Sequence, residues 1–250
     1  MKAYLKRKKN IYELGKRVIN NKFHKEGERI ITMEHKKSPY RYELINFLLN
    51  FLNRETKYLE IGVRFPQQNF DLIVSKEKYS VDPGYENPKN PVDFKVTSDV
   101  FFEDVREGKI LQEDILFDVI FIDGLHLADQ VERDIKNSLS FLKEDGYIVM
   151  HDCNPPSEFH ASENHNYKLS PAKGYWNGTT WKAFFKQRQS KETYSCCIDS
   201  DWGIGVISKS LNLGKPTKIN NPYFEFNVFN ENRKESLNLI SYKSFQKKIL

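Results

Sequence analysis

Short apolar runs of strand length alternate with polar segments of helical length along the middle of the chain. Five such runs cover residues 57–63, 78–82, 93–97, 118–123 and 146–151. The polar segment 129–143, between the last two runs, is long enough for one helix. Strands that alternate with helices predict a parallel sheet with right-handed crossovers. The pattern therefore indicates an open α/β fold.

Two further apolar runs lie close together near residue 200. Residues 194–199 and 203–208 are separated only by Ser-Asp-Trp, which is far too short for a crossover. These two strands must therefore form an antiparallel hairpin. Apolar spacing and capping residues predict helices over 40–53, 70–74, 99–107 (with Ser98 as its N-cap) and 179–189.

The chain divides into three segments. Residues 1–37 are expected to form a basic helical extension, residues 38–210 the α/β domain, and residues 211–250 a polar C-terminal tail. Within the domain, residues 153–176 are a long polar stretch rich in Pro, Ser, Asn and His. Loops of this length in a compact domain are usually functional or mobile, so this loop is a candidate part of the functional site.

Composition is that of an ordinary globular protein. The 250 residues are 39% hydrophobic and 29% charged, which is enough apolar material for a full core. The apolar runs are only strand-length, and the basic N-terminus lacks the apolar region of a signal peptide, so neither a membrane span nor secretion is expected. Three cysteines, two of them adjacent, favour reduced thiols and a cytoplasmic location.

The positive charge is concentrated at the beginning of the chain. The net charge is +5, and much of the excess lies before residue 30. Such a run most often marks a solvated amphipathic helix or arm, which is the expectation here. Contact with nucleic acid or an anionic membrane surface is the alternative. A nucleic-acid partner is disfavoured overall, and the oligomeric state is left open, a homo-oligomer included.

Acidic residues and histidines follow two apolar runs about thirty residues apart. Asp123 ends the fourth run and His126 lies three residues later, while His151 ends the fifth run and Asp152 follows it. The carboxyl ends of neighbouring parallel strands share one edge of a sheet, where open α/β proteins bind ligands. Two carboxylates there can share a divalent cation or divide acid and base roles, and a histidine can act as the base. Helix capping by an aspartate and packing of His151 under the loop are the structural alternatives.

The first two strands also end in candidate binding residues. Gly62 in Glu60-Ile-Gly62 allows a tight turn close to a ligand. The glycines that a dinucleotide phosphate loop needs do not follow it. Asp82, about twenty residues on, can accept hydrogen bonds from a ribose diol, or it can be a turn aspartate before Pro83-Gly84.

A second dense patch is Trp176-Asn-Gly-Thr-Thr-Trp181. Its aromatic rings and the Asn177 amide could form the wall of an acceptor pocket. Alternatively, Asn177-Gly178 is a turn, Thr179 or Thr180 caps the next helix, and Trp181 is buried. The substrate-binding candidates are Trp176, Asn177, Thr179 and Trp181. Cys153 is expected to be a small buried residue rather than a nucleophile.

Taken together, these residues resemble the class I S-adenosylmethionine (SAM)-dependent methyltransferases, particularly the small-molecule group of the type-24 kind. The segments that carry this resemblance are 58–63, 80–84, 117–126 and 146–155, and the resemblance spans about residues 55–210. It implies a doubly wound, Rossmann-like, mostly parallel sheet of seven strands. An antiparallel terminal hairpin and helices on both faces complete that fold.

The resemblance also implies roles for individual residues. Glu60 and Gly62 would lie beside the methionine part of SAM, Asp82 would hold the ribose hydroxyls, and Thr97 and Ser98 would lie near the adenine. Further cofactor contacts would come from Val63, Arg64, Asn69, Pro83, Asp123, Gly124 and His126. Metal-dependent sugar and macrolide O-methyltransferases look similar, with acids after the fourth and fifth strands, so Asp123 and Asp152 could hold a cation such as Mg²⁺. This chain departs from them in having His151-Asp152 where an acidic pair is expected, and Phe65-Pro66 where the first loop is usually glycine-rich.

The expected activity is SAM-dependent methylation of a hydroxyl on a small polar acceptor, such as a sugar or glycan precursor. His151 or His126 would act as the base, oriented by Asp123 and Asp152, or a cation would assist. One alternative is a nicotinamide-dependent Rossmann oxidoreductase, which the missing glycines and the hairpin disfavour. The other is a non-catalytic cofactor-binding or interaction module.

Overall fold

A computed structural model describes residues 2–165 and 169–250 and contains one mixed sheet. Its strands are β1 (Lys57–Ile61), β2 (Glu77–Val81), β3 (Phe117–Ile122), β4 (Leu142–Met150), β5 (Tyr194–Ile198), β6 (Ile204–Ser208) and β7 (Leu239–Ile240). The strand order is β2-β1-β3-β4-β6-β5-β7. Only β6 runs antiparallel to its neighbours, while the other pairings are parallel. The predicted seven-stranded, mostly parallel sheet with a terminal hairpin is confirmed.

The described residues contain α1 (Lys2–Ile19), α2 (Lys22–Glu34), α3 (Arg41–Phe51), α4 (Ser98–Arg106), α5 (Ala128–Ser140), α6 (Thr180–Gln187), α7 (Phe226–Glu231), α8 (Arg233–Leu237) and α9 (Tyr242–Ile249). The predicted helix after the first strand is reduced to two 3₁₀ turns, Pro66–Gln68 and Phe70–Leu72. None of the helices in the described residues has the length and apolarity needed to cross a membrane.

Helices cover both faces of the sheet because successive strand residues point to opposite sides. In β3, Ile120 and Ile122 join a core built with α4, α5 and α6. The alternate residues Val119 and Phe121 join a second core with α3 and α9. Strands that are buried on both faces read as continuous apolar runs, which is why the sequence pattern located them.

The predicted third strand, residues 93–97, is wrong. It forms only one isolated parallel bridge, between Val81 and Phe94. The Asp93 carboxylate accepts hydrogen bonds from the Ser80 backbone N–H at 2.9 Å and its hydroxyl at 2.7 Å. The Asp93 side chain therefore accepts from the Ser80 N–H, a backbone donor that a longer strand pairing would use. The seventh strand is β7 instead.

The N-cap of α4 is Thr97 rather than the predicted Ser98. The Thr97 hydroxyl accepts a hydrogen bond from the Val100 N–H at 3.4 Å. The Ser98 hydroxyl instead donates to buried Asp134 of α5 at 2.6 Å. Adjacent hydroxyl residues are both acceptable caps, and only the tertiary contact distinguishes them.

The last forty residues fold back onto the sheet. β7 pairs with β5, and α9 buries Phe245 and Ile249 in the core shared with α3. Phe229 and Leu237 join the core on the other face. This segment therefore contributes apolar side chains to both cores.

Replacement of Phe245 tests that contribution. Phe245 is fully buried, so Phe245→Ala is expected to lower the free energy of unfolding by about 3–5 kcal/mol. Urea denaturation followed by circular dichroism measures it. Tyr223→Ala, at a ring that is 84% exposed, is the matched control in the same segment and should change stability by less than about 0.5 kcal/mol. Equal effects of the two variants would show that α9 does not stabilise the fold.

Candidate active site

The ends of β3 and β4 lie side by side. Ile122 pairs in register with Met150, so the residues that follow them, Asp123 and His151, leave the sheet together. The His151 N–H at Nδ1 donates to Asp123 Oδ1 at 3.1 Å. Parallel pairing thus brings together two residues that are twenty-eight positions apart in the chain.

Two carboxylates and two imidazoles form a closed ring of contacts, which we call the acid–histidine ring (Asp123, His126, His151 and Asp152). Asp123 Oδ1 lies 3.3 Å from Nε2 of His126. Asp152 Oδ2 lies 3.3 Å from Nδ1 of His126 and 3.2 Å from Nδ1 of His151. Each carboxylate therefore contacts both histidines. The structure brings together all four residues that the sequence indicated at this edge.

Two more charged residues, Arg41 and Asp201, complete the cluster. Arg41 begins α3, and its Nη1 donates to Asp201 Oδ2 at 3.1 Å. Its Nε lies 3.7 Å from Asp123 Oδ2. Asp201, in the turn between β5 and β6, lies 3.4 Å from Nε2 of His151. Neither residue was predicted from the sequence. The one available signal was an acid in a hairpin turn at the right edge of the sheet.

The carboxylates keep the histidines charged. Burial opposes a charge on His151, but Asp152 and Asp123 outweigh it and raise the pKa of His151 well above its ordinary value. Arg41 acts in the opposite direction and does not cancel them. Burial likewise opposes a charge on His126, and the same two carboxylates raise its pKa to about 9. At neutral pH both imidazoles carry a proton.

The positive charges in turn lower the pKa values of Asp123 and Asp201. Burial would raise the pKa of Asp123, but His151 and His126 hold it well below its usual range. Burial also opposes ionisation of Asp201, and His151 and Arg41 lower its pKa to about 2. The cluster is therefore a set of mutually compensating charges rather than a set of free acids and bases.

One trio in this cluster has the spacing of a metal site. One ligand atom each from Asp123, His126 and Asp152 lie within 4.8 Å of one another. Two carboxylates and an imidazole are a donor set that suits divalent cations such as Mn²⁺, and carboxylates also suit Mg²⁺. The ligand chemistry therefore fits the cation that the sequence resemblance implied.

Residues 176–179 hold the ring in place. Asn177 is fully buried, and its amide donates to Asp152 Oδ1 at 2.7 Å. The Trp176 ring stacks on His126 with 5.2 Å between ring centroids. The Thr179 N–H donates to the His126 carbonyl at 2.8 Å, and its hydroxyl accepts from Ala128 N–H at 2.8 Å. Of these residues, only Trp176 is more than slightly exposed.

Trp181 is separate from this patch. Its ring is 1% exposed and lies 4.4 Å, between centroids, from Phe229 in the core. Beside Trp176 there is instead a cavity of about 220 Å³. Its lining residues are Glu158, Phe159, Ser162, Asn164, His165, Ser170, Gly174, Tyr175 and Trp176. Residues 166–168 of the predicted functional loop lie outside the described residues.

Glu60 lies at the end of β1 in a buried polar group. It accepts hydrogen bonds from Tyr58 Oη at 2.6 Å and from the Asn69 amide at 2.8 Å. Burial raises its pKa to about 7, although both hydrogen bonds lower it. Gly62 follows with a positive φ of 93°, and a side chain there would collide with the backbone at Asp123. The ends of β1 and β3 therefore approach closely enough to require glycine.

Asp82 follows β2 at the same edge. Its Oδ1 accepts from the Gly84 N–H at 2.6 Å and the Asn90 amide at 2.9 Å, so it is a turn aspartate with a fixed carboxylate. Asn90 also donates to the Val63 carbonyl at 2.9 Å, which joins the first two strand ends. The sequence suggested that Asp82 forms a turn or accepts hydrogen bonds from a ribose. This geometry is compatible with both interpretations.

The other predicted cofactor contacts are more dispersed. Arg64 is about half exposed and faces Glu86 at 3.4 Å. Pro83 belongs to the Asp82 turn, and Gly124 packs against Ile61. Thr97 and Ser98 are engaged at the start of α4, as described above.

A family model described as a methyltransferase domain matches residues 20–153, more than half of the chain. No curated protein matches the sequence. Among solved structures, an O-methyltransferase from Bacillus cereus in complex with S-adenosylhomocysteine (SAH) is 13% identical, with a TM-score of 0.47 over 76% of this chain and 92% of that one. TomG, an O-methyltransferase from Streptomyces achromogenes in complex with SAM, is 9% identical, with a TM-score of 0.46 over 76% and 90%. MycE from the mycinamycin pathway, in complex with Mg, SAH and mycinamycin VI, is 11% identical, with a TM-score of 0.41 over 73% and 51%.

The raised pKa of His126 predicts how stability depends on pH. A pKa of about 9 in the folded chain, against 6.5 for an ordinary histidine, gives stability that is fully present below pH 6.5. That stability is lost as pH rises through 9. In the presence of a chelator and without cofactor, the free energy of unfolding of wild type should fall by about 3 kcal/mol more over this window than that of His126→Gln. Denaturant titrations at several pH values measure the two slopes, and parallel slopes would contradict the charge assignment.

Proposed function

Because the chain belongs to the type-24 methyltransferase domain family, a group of class I SAM-dependent enzymes, we propose that it methylates a hydroxyl of a small polar acceptor. A sugar or glycan precursor is the acceptor class proposed. The observation that carries the proposal is the convergence of Asp123, His126, His151 and Asp152 at one sheet edge. The family match favours methyl transfer over a nicotinamide-dependent reaction.

The strand ends of β1 and β2 fit the proposed cofactor. SAM supplies an electrophilic methyl carbon on a sulfonium when it is bound. Asp82 Oδ1 is already held by two donors, which leaves Oδ2 to accept from the ribose hydroxyls. Gly62 and the buried Glu60 group lie between Asp82 and the acid–histidine ring. That order along the edge is consistent with the methionine part of the cofactor lying next to the ring.

The proposed acceptor site is the cavity beside Trp176. Binding sites for small molecules are usually concave and mostly apolar, with a few directional polar groups. This cavity combines the rings of Phe159, Tyr175 and Trp176 with the polar residues Ser162 and Glu158. Trp176 also stacks on His126, so an acceptor on this ring lies near the reacting edge. Aromatic faces and polar side chains together suit a sugar.

An attacking hydroxyl must lose its proton as it attacks, and a protonated imidazole cannot accept one. His151 contacts three carboxylates, so we assign it an orienting role rather than the base role expected from sequence. Among the described residues, His126 contacts only two carboxylates, Asp123 and Asp152, one fewer than His151. It is therefore the better candidate for the base once it is neutral.

A divalent cation is the alternative to the His126 base, because a histidine bound to a metal cannot also accept the proton of the hydroxyl. Asp123, His126 and Asp152 would hold this cation, and when bound it would lower the pKa of a hydroxyl that it contacts. His126 has to give up its proton to become a ligand. Asn177 fixes the Asp152 carboxylate, and Arg41 together with His151 fixes Asp123. These residues hold the ligand set in place before anything binds.

Methyl transfer from SAM to a panel of sugar and nucleotide-sugar acceptors, followed as SAH release, tests the activity. Asp123→Asn and Asp152→Asn are each expected to lower kcat by about 10²–10⁴-fold, because these carboxylates either orient the His126 base or hold the cation that helps to remove the hydroxyl proton. Asp71→Asn, at an exposed aspartate outside the cluster, is the control and should keep wild-type turnover.

Full activity in both variants would contradict the assignment of the ring. Thermal shift with SAH and with NAD separates the methyltransferase from the nicotinamide alternative. Stabilisation by NAD alone would count against the family's cofactor.

Calorimetric titration with Mn²⁺ tests the cation separately. Binding should be tighter at pH 8.5 than at pH 6.5, because the metal displaces a proton from His126. His126→Ala and Asp152→Asn should each weaken it by about 10-fold or more, while His165→Ala, which lies outside the trio, should not. If no Mn²⁺ or Mg²⁺ binds and turnover persists in EDTA, the proton is removed by the histidine–aspartate pair and the cation proposal fails.

A further inference from the structure

The N-terminal helix α1 is almost detached from the body of the protein. None of its eighteen residues is buried. Seven of its residues are large and apolar yet 40–64% exposed: Tyr4, Leu5, Ile11, Tyr12, Leu14, Val18 and Ile19. Exposed apolar residues in this number on one element are unusual unless they bind something.

These apolar residues share one side of the helix. Tyr4, Ile11 and Val18 are spaced seven residues apart, and Leu5, Tyr12 and Ile19 repeat the same spacing one position later. At 3.6 residues per turn, residues seven apart lie nearly above one another. Consecutive residues lie about 100° apart around the axis, so the two rows and Leu14 share one half of the helix surface, with Lys8 between the rows. We call this half of α1 the apolar stripe.

The remainder of the helix is strongly basic. It carries seven lysines and arginines and one acidic residue, Glu13, so it alone exceeds the net charge of +5 of the whole chain. Several of these cations flank the apolar stripe, among them Lys9 and Lys16. Lys8 and Lys16 lie 4.8 and 4.7 Å from the ring centres of Tyr4 and Tyr12.

We propose that α1 binds an anionic lipid surface, with the apolar stripe at the boundary between headgroups and acyl chains. A helix with an apolar stripe flanked by Lys and Arg has the composition of an interfacial helix. Anionic headgroups are the complement of its charge. Nucleic acid would account for the cations but would leave the apolar stripe in water. A second copy would cover the stripe but would bring two strongly basic helices together.

Sedimentation of the full-length protein with phospholipid vesicles tests this binding. Phosphatidylglycerol vesicles should carry the protein down at low salt, and pure phosphatidylcholine vesicles should not. Raising the salt concentration should weaken the binding, because charges at a surface are screened. The triple variant Lys6→Gln, Lys9→Gln and Arg17→Gln should bind about 100-fold more weakly, from the contribution of each cation.

Two further variants separate the membrane from other partners. Replacing Leu5, Ile11 and Ile19 by Gln removes three of the seven apolar side chains of the stripe but keeps every charge, and it should also strongly weaken vesicle binding. Replacing Lys243, Lys247 and Lys248 by Gln removes the same charge from exposed positions of another helix, α9, and it should leave binding intact. All three variants alter exposed positions, so their thermal unfolding should match that of wild type.

Three results would overturn the proposal. The first is no sedimentation of wild type with anionic vesicles. The second is equal loss of binding in the α9 control, which would mean general charge attraction. The third is a self-association measured by analytical ultracentrifugation that the stripe variant abolishes without any vesicle binding, which would assign the stripe to a second copy.

Discussion

The parallel pairing of β3 with β4 is the constraint on which the site depends. Their register carries Asp123 and His151 out of the sheet together. Burying several ionised groups side by side is costly unless opposite charges compensate one another. Here three carboxylates face two imidazoles and the Arg41 guanidinium. The charges of the site therefore stabilise one another as a set, and the proposed cation would have to displace a proton from it.

Elements from distant parts of the chain complete that set. α3 supplies Arg41, the β5–β6 turn supplies Asp201, and residues 176–179 hold His126 and Asp152. The same α3 is packed on the sheet beside α9 of the C-terminal segment. Packing of the termini and geometry of the site are thus connected through one helix. A loss of core packing at α9 would be expected to loosen Arg41 as well.

The sheet could be predicted from the sequence because its strands are buried on both faces and read as uninterrupted apolar runs. The edge residues Asp123 and His151 followed from those strand ends. Arg41 and Asp201 could not be found in this way, because nothing local links a helix start to a hairpin turn across 160 positions. The error at residues 93–97 has a similar origin: Asp93 uses its side chain where a strand would use its backbone. The electrostatic state of His151 also depends on these distant partners.

A crystal structure of the protein with SAH and Mn²⁺ would show whether the strand-end edge is the methyl-transfer site. We expect the ribose hydroxyls to bind the Asp82 carboxylate and the SAH sulfur to face the acid–histidine ring. We also expect Mn²⁺ to be bound by Asp123, His126 and Asp152. SAH bound away from Asp82, or with its sulfur turned away from the ring, would contradict this assignment of the site.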